Sequence, residues 1–229
     1  GVGAPAFRME ATSGSNTLLF AFADASHSVS YYSTATLTTG VWTHLAVVRS
    51  GNTYTTYKNG VAGGTNTASG SINQSANTFP FRIGARSNAS NTAQDAFNGI
   101  FDEFRVWNVA RTPAQLSAAM NFELTGTESG LVQYYKFNQG IAGGNNAGLT
   151  TATATTGVNG TLNNFALTGT ASNWVAGQTI TGLTVTNNAP SSFPVGTTQV
   201  TWTATDAAGK TATCTHDVTV VDNQQPSLT

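Results

Sequence analysis

The sequence predicts an all-β protein with one short helix, and three observations carry that expectation. Short runs of alternating apolar and polar residues recur along the chain, separated by Gly, Asn, Asp and Ser clusters. A helical spacing of apolar residues is clear at one place, where Leu116, Ala119 and Met120 fall at i, i+3 and i+4. Charged residues make up 8% of the 229, against roughly 25% in ordinary soluble domains. Thr, Asn, Ser and Gly must therefore supply the polar surface, and Thr favours pleated structure.

Taken in order, Phe7 to Glu10, Thr17 to Phe22 and Val29 to Tyr32 read as short strands. Gly40-Val41-Trp42 leads into a strand over Thr43 to Arg49, with Leu45 and Val47 facing a core. Tyr54 to Lys58 follows, closed by Asn59-Gly60, the strongest short hairpin signal in the chain. Residues 61–78 read as turns around a weak strand near Ile72. Phe79 to Ile83 reads as a strand, and Ala85 to Asp95 as a polar loop. From Ile100 to Trp107 both faces carry large apolar groups, which predicts a strand buried between two layers. Thr112-Pro113-Ala114-Gln115 is a helix start with an N-cap, a first-turn proline and a capping-box glutamine. Leu131 to Phe137 alternates as a strand. Residues 139–160, rich in Gly, Ala, Thr and Asn, read by composition as a flexible linker.

Charge and cysteine content narrow the function classes. A net charge of −1 gives no electrostatic basis for binding nucleic acid, an anionic membrane surface or an acidic polymer. With one cysteine, Cys214, the chain cannot form an internal disulfide. No apolar run is long enough to span a membrane. Gly1-Val2-Gly3-Ala4-Pro5 does not read as a natural start, and the chain is expected to be a piece of a larger protein.

Four motifs occur in order between Thr38 and Asn138: Trp42-x-His44-Leu45-Ala46, the Tyr57-x-Asn59-Gly60 hairpin, Asp102-Glu103-x-Arg105-Val106-Trp107-Asn108, and the Ala110-Arg111 turn into the helix. Together they resemble the laminin-G/pentraxin-like group of the concanavalin A-like lectin superfamily. The resemblance implies a jelly-roll sandwich over 1–176, ending with a segment such as Gly160 to Phe165 and Ser172-Asn173-Trp174. It also implies two or three further strands ahead of the stretch matching Phe7.

Downstream, Phe193-Pro194-Val195-Gly196-Thr197-Thr198 and Val200-Thr201-Trp202-Thr203-Ala204-Thr205-Asp206 resemble the hyalin repeat (HYR), an immunoglobulin-like β-sandwich module. Residues 177–229 are about half the roughly 100 residues of such a sandwich, so the module is expected to be partial. Val200, Trp202 and Ala204 would form its buried face, and Ala207 to Lys210 its hairpin turn.

Catalysis is not expected. No Glu-x-Asp-x-Glu strand, which the superfamily's glycosidases use, is present, and Asp102 and Glu103 are adjacent and so point to opposite faces of a strand. His27, His44 and His216 have no Ser or Cys in a triad-like setting. Calcium is the cofactor the first resemblance implies, since pentraxin-like and laminin-G-like domains bind it in loops at the sandwich edge through hard oxygen ligands. Asp95 and Asp102 are the expected ligands, with Gln94 and Asn98 behind them; Ala93 stands where pentraxins carry Glu. Glycan stacking would fall to Tyr31, Tyr32, Tyr54, Tyr57, Tyr134 and Tyr135, one ring of each adjacent pair facing outward. Trp42, Trp107, Trp174 and Trp202 are expected in the core.

The two resemblances together imply a non-catalytic adhesion or recognition module of a large secreted or cell-surface protein, expected to be bacterial. Its partners would be surface glycans, extracellular proteins and neighbouring modules of its own chain. The alternatives are a structural spacer in a surface adhesin or filament, and an accessory carbohydrate-binding module of a secreted polysaccharide-degrading enzyme.

Overall fold

The computed structural model describes residues 7–11, 17–23, 28–67, 80–88, 90–169, 173–177, 184–205 and 211–224; before residue 36 it is the backbone of the strands that is described. The strand expected near Ile72 and the turn expected over Ala207 to Lys210 lie outside these residues. By its internal contacts the chain divides into two units, Gly1–Gln178 and Thr179–Thr229. Fifteen strands and one helix are described, and every paired strand runs antiparallel.

The first unit opens with two three-stranded meanders. Strands β1 (Phe7–Ala11), β2 (Thr17–Ala23) and β3 (Ser28–Thr36) form one. Strands β4 (Leu45–Ser50), β5 (Thr53–Lys58) and β6 (Val61–Thr67) form the other. β3 lies against β5 and β6, and Lys58 Nζ donates to the Thr36 carbonyl at 2.6 Å. The β5–β6 turn is the expected Asn-Gly hairpin. Asn59 (φ 50°) and Gly60 (φ 78°) both take the left-handed conformation that this turn requires. The Asn59 side chain accepts from the His44 amide at 2.9 Å, and the His44 carbonyl accepts from the Asn59 amide at 2.9 Å. A methyl group on Gly60 would collide with Ser117 of the helix, so glycine lets the hairpin approach it.

A short hairpin of β7 (Arg86–Ser87) and β8 (Ala93–Gln94) follows, then β9 (Phe104–Trp107) paired with β10 (Leu131–Tyr135). Two sequence expectations are corrected here. The described part of the Phe79 to Ile83 run, residues 80–83, is not a strand, and the polar stretch after it is not a plain loop but carries the β7–β8 hairpin. The strand expected from Ile100 starts only at Phe104. Glu103 takes φ 54°, a left-handed conformation that costs a non-glycine residue about 1–2 kcal/mol, and this breaks the extended run. Ile100 and Phe101, expected in a core, are exposed.

Helix α1 (Pro113–Ala119) begins as its sequence prescribes. Thr112 Oγ1 accepts from the Gln115 amide at 3.2 Å, and Gln115 Oε1 accepts from the Thr112 amide at 3.0 Å, the reciprocal capping box. Leu116 is buried; Ala119 and Met120 are half-buried.

Residues 139–160 are packed rather than a linker. The buried Asn146 acts as a tie: its Oδ1 accepts from the Ile141 amide at 2.7 Å and its Nδ2 donates to the Ile141 carbonyl at 2.9 Å. β11 (Thr151–Ala152) pairs with β12 (Gly160–Thr161). The buried Trp174 lies over Gly140, where a Cβ would clash with the indole, and its carbonyl accepts from the Gly143 amide at 3.0 Å. Side-chain and carbonyl acceptors fix this segment where apolar residues are too few to do so.

The second unit is a meander of β13 (Thr184–Asn187), β14 (Gly196–Thr205) and β15 (Thr211–Val220). Val200 is buried at 3% exposure, but Trp202, expected beside it in the core, is 42% exposed. A single described sheet has no facing layer to cover it.

Replacing Thr112 with alanine removes one half of the capping box and should cost about 1 kcal/mol. Amide exchange in Pro113–Ala119 measures it: the first-turn amides should speed up by about fivefold, while those of β14 and β15 stay unchanged.

Candidate functional site

The residues between Phe81 and Phe104 join the β7–β8 hairpin to β9, and every expected metal ligand falls within them. Gln94 lies in β8 and Asp95 follows it with φ 52°, a conformation aspartate tolerates better than most residues. The Asp95 carboxylate is paired with Arg86 Nε. With its amide oxygen turned inward, Gln94 accepts from both terminal nitrogens of the same guanidinium. Asp102 is placed differently: its Oδ1 accepts from the Glu103 amide at 3.0 Å, and its Oδ2 lies 2.9 Å from where a Cβ on Gly177 would stand. Asn98 is exposed. Gln94 and Asp95 are therefore brought together, but around Arg86. Among the described residues, no three acidic, histidine or cysteine side chains form a group that could hold a metal ion. As placed, the set does not present a calcium shell, because a guanidinium already stands on its best carboxylate.

Beneath this loop lies a partly buried polar knot. Tyr134, fully buried on β10, donates from its hydroxyl to Glu103 Oε2 at 2.6 Å and accepts from the Leu124 amide at 3.0 Å. Arg105 pairs with Glu103, lies 5.3 Å above the Tyr134 ring, and donates to the carbonyls of Ala119 (2.8 Å) and Phe122. Burial, and then the hydrogen bond to Glu103, push the Tyr134 hydroxyl pKa up to about 12. His44 is mostly buried, its Nδ1 without a hydrogen-bond partner among the described residues. Burial first, and the Arg105 charge second, hold its pKa below the ordinary 6.5. Asp102 and Glu103, expected on opposite faces of a strand, precede β9 and have different partners: Asp102 Oδ1 accepts from the Glu103 amide, and Glu103 Oε2 meets Arg105 and Tyr134.

Four of the six expected stacking tyrosines are not at the surface. Tyr54, Tyr57, Tyr134 and Tyr135 are 3%, 8%, 0% and 8% exposed. Neither ring of the Tyr134-Tyr135 pair faces outward, since β10 is covered on both sides. Arg105 and Lys136 lie over Tyr134, while Phe104 and Phe137 lie against Tyr135, whose hydroxyl donates to the Val158 carbonyl at 2.7 Å. The side chains of Tyr31 and Tyr32 lie outside the described residues. Of the tryptophans, Trp174 is buried and Trp107 is half-buried beneath the Arg111 guanidinium at 4.2 Å. Trp42 is 37% exposed, contrary to expectation.

The exposed aromatic surface is made instead by Phe101, which the sequence pattern assigns to a core, together with Phe97. Phe97 and Phe101 are 42% and 43% exposed, with ring centroids 4.8 Å apart and planes tilted by 48°. Phe81 and Ile100 of the same stretch are more exposed still. The Phe97 amide donates to the Gly84 carbonyl at 2.7 Å, and the Phe101 ring packs 3.6 Å from where a Gly84 Cβ would be, so both rings are anchored on the base of the hairpin.

A family model described as the concanavalin A-like lectin/glucanases superfamily (laminin-G type) matches residues 2–117, just over half of the chain. The chain belongs to this superfamily. A second model, the HYR domain, matches residues 149–220, so a superfamily domain is followed by a HYR module, both typical of extracellular adhesion-type proteins. The HYR match starts well before residue 177, within residues that pack in the first unit. Among solved structures, this chain is similar to an S-layer domain-containing protein (residues 221–444) from Clostridium thermocellum ATCC 27405, at 26% identity and a TM-score of 0.32. That match covers 52% of this chain and 63% of the other, so this chain spans less than two thirds of that structure. No curated protein matches.

Two predictions concern the knot. Tyr134→Phe strips the Glu103 carboxylate and the Leu124 amide of a partner and should lower stability by about 1–3 kcal/mol, read as a shift of the urea midpoint. His44 gives a pH dependence. Its folded pKa is depressed below 6.5, so as pH falls through 6.5 the unfolded chain takes up a proton that the folded one does not. Stability is complete above 6.5 and declines below it. Thermal melts between pH 7.5 and 5 should show this decline, and His44→Gln should flatten it.

Proposed function

We propose that the chain is a non-catalytic recognition module of a secreted or cell-surface protein, binding glycan or protein ligands through the surface around Phe97 and Phe101. The observation that carries this is that pair of exposed, mutually packed rings on an anchored hairpin. Two aromatic faces held rigidly in water offer a large apolar contact at little entropic cost, and sugar rings and apolar protein side chains both fit such a surface. The superfamily match and the HYR match support an extracellular, adhesive setting. The polar clusters that could have served catalysis are engaged structurally, Glu103 by Arg105 and Tyr134 and Asp95 by Arg86. The domain boundary in this reading lies at 176/177, supported by the ties from Gly143 and Ala166 to Trp174 and Asn173.

A glycan array probed with the whole chain, in calcium and again in EDTA, tests the reading. Binding should be seen, and Phe97→Ala and Phe101→Ala should each weaken it by about tenfold or more while the far-ultraviolet spectrum is unchanged. Calcium, the cofactor implied by resemblance, belongs in the mechanism if EDTA abolishes binding. Binding that survives both substitutions would move the ligand site elsewhere. Failure to bind any array glycan or extracellular-matrix protein would favour a spacer.

A further inference from the structure

The 82–95 hairpin organises its oxygen atoms in an unusual way. Arg82 Nε donates to Ser87 Oγ at 2.8 Å, and its Nη2 donates to the Asn91 carbonyl at 2.8 Å and side-chain oxygen at 3.2 Å. Arg86 takes the Asp95 carboxylate and the Gln94 amide oxygen. Asn88 Oδ1 accepts from the amides of Ser90 and Thr92 at 3.0 and 2.8 Å, and the Asn88 amide donates to the Thr92 carbonyl at 2.9 Å. Asn91 and Asp95, which bind the two guanidinium groups, both have positive φ, 60° and 52°.

Calcium gathers roughly six to eight oxygens at about 2.3–2.6 Å, usually within a net negative loop. Here the side-chain oxygens are already gathered, but by two cations fixed to the chain. Residues 82–95 carry two arginines against one aspartate, so a divalent ion would enter a positive loop and would have to displace charge-assisted hydrogen bonds. We propose that Arg82 and Arg86 are the resident cations of this hairpin, replacing a metal ion as the centre around which its oxygens fold, so that the loop keeps its shape without calcium. Both are half-buried: Arg82 acts on Ser87 and Asn91, and Arg86 on Gln94 and Asp95. The proposal holds whatever ligand the module takes, because it concerns what sets the loop's shape.

Amide hydrogen exchange of the whole chain, in 10 mM calcium chloride and in EDTA, is the test, with thermal melts in the same buffers. The wild-type amides of Asn88, Thr92 and Phe97 should exchange at the same rate in both, and the melting temperatures should agree within about 1 °C. Arg82→Gln should speed exchange at Asn88 and Thr92 by about tenfold or more, and Arg86→Gln should loosen residues 93–95, in both buffers alike. Arg86→Gln, which leaves the Arg82 contacts to Ser87 and Asn91 in place, keeps the test alive if Arg82→Gln fails to fold. Calcium that slows these amides in the wild type, or raises its melting temperature by about 3 °C or more as extracellular-type affinities would require, overturns the proposal. So does unchanged exchange in a folded variant.

Discussion

The first unit depends on one interaction, the contact of Arg105 with Glu103 over the ring of Tyr134. Glu103 sits at the head of β9, Tyr134 on β10, and the guanidinium reaches the carbonyls at the end of α1 and beyond it. The chain's clearest helix, its central two-stranded pair and the loop ahead of β9 are thus tied at one point. Arginine suits the task because its fork can serve a carboxylate and two carbonyls at once; lysine, a single point of charge, could not. The left-handed backbone at Glu103 is what aims its carboxylate into the knot, and the same bend sends Ile100 and Phe101 to the surface. The strain and the exposed aromatic pair have a common origin.

Where local chemistry decides structure, the sequence is legible. The Thr112 capping box and the Asn59-Gly60 turn specify their elements through neighbours a few residues away, and β4, β5, β10 and β14 lie close to where strands are expected. Three features are not local and could not be read. Ile100 to Trp107 alternates as a buried strand, and nothing in that pattern marks Glu103 as left-handed. Tyr134 and Tyr135 point to opposite faces as the two-residue period requires, but the period does not say that Arg105 and Phe104 close both faces. Gln94 and Asp95 are oxygen ligands by resemblance, and the resemblance does not show that Arg86 lies across a hairpin from them. Composition likewise misreads 139–160, because Asn146 and Trp174 fix that segment by hydrogen bonds and one indole–glycine contact.

Sparse charge changes what holds the surface together. Among the described residues, cross-strand side-chain contacts in the second unit are not ion pairs: Thr197 meets Thr219 at 3.1 Å, and the Gln199 amide donates to the Asp217 carboxylate at 3.3 Å. Such contacts vary little with ionic strength, whereas exposed ion pairs weaken as salt screens them. Charge is concentrated instead where it ties segments together: Arg82 and Arg105 each bind oxygens from more than one stretch of chain, and Arg86 holds the neighbouring Gln94 and Asp95 side chains.

The register of the second unit has a mechanical consequence. Thr184, at the start of β13, pairs with Thr205, while Val220, at the end of β15, pairs with Gly196. The points where chain enters and leaves this sheet are therefore at opposite ends of β14. Tension along the chain slides β13 and β15 past β14 in opposite directions, loading many rungs together instead of unzipping them singly. The four pairs between β13 and β14, against ten between β14 and β15, make the β13 side the fuse that parts first under load.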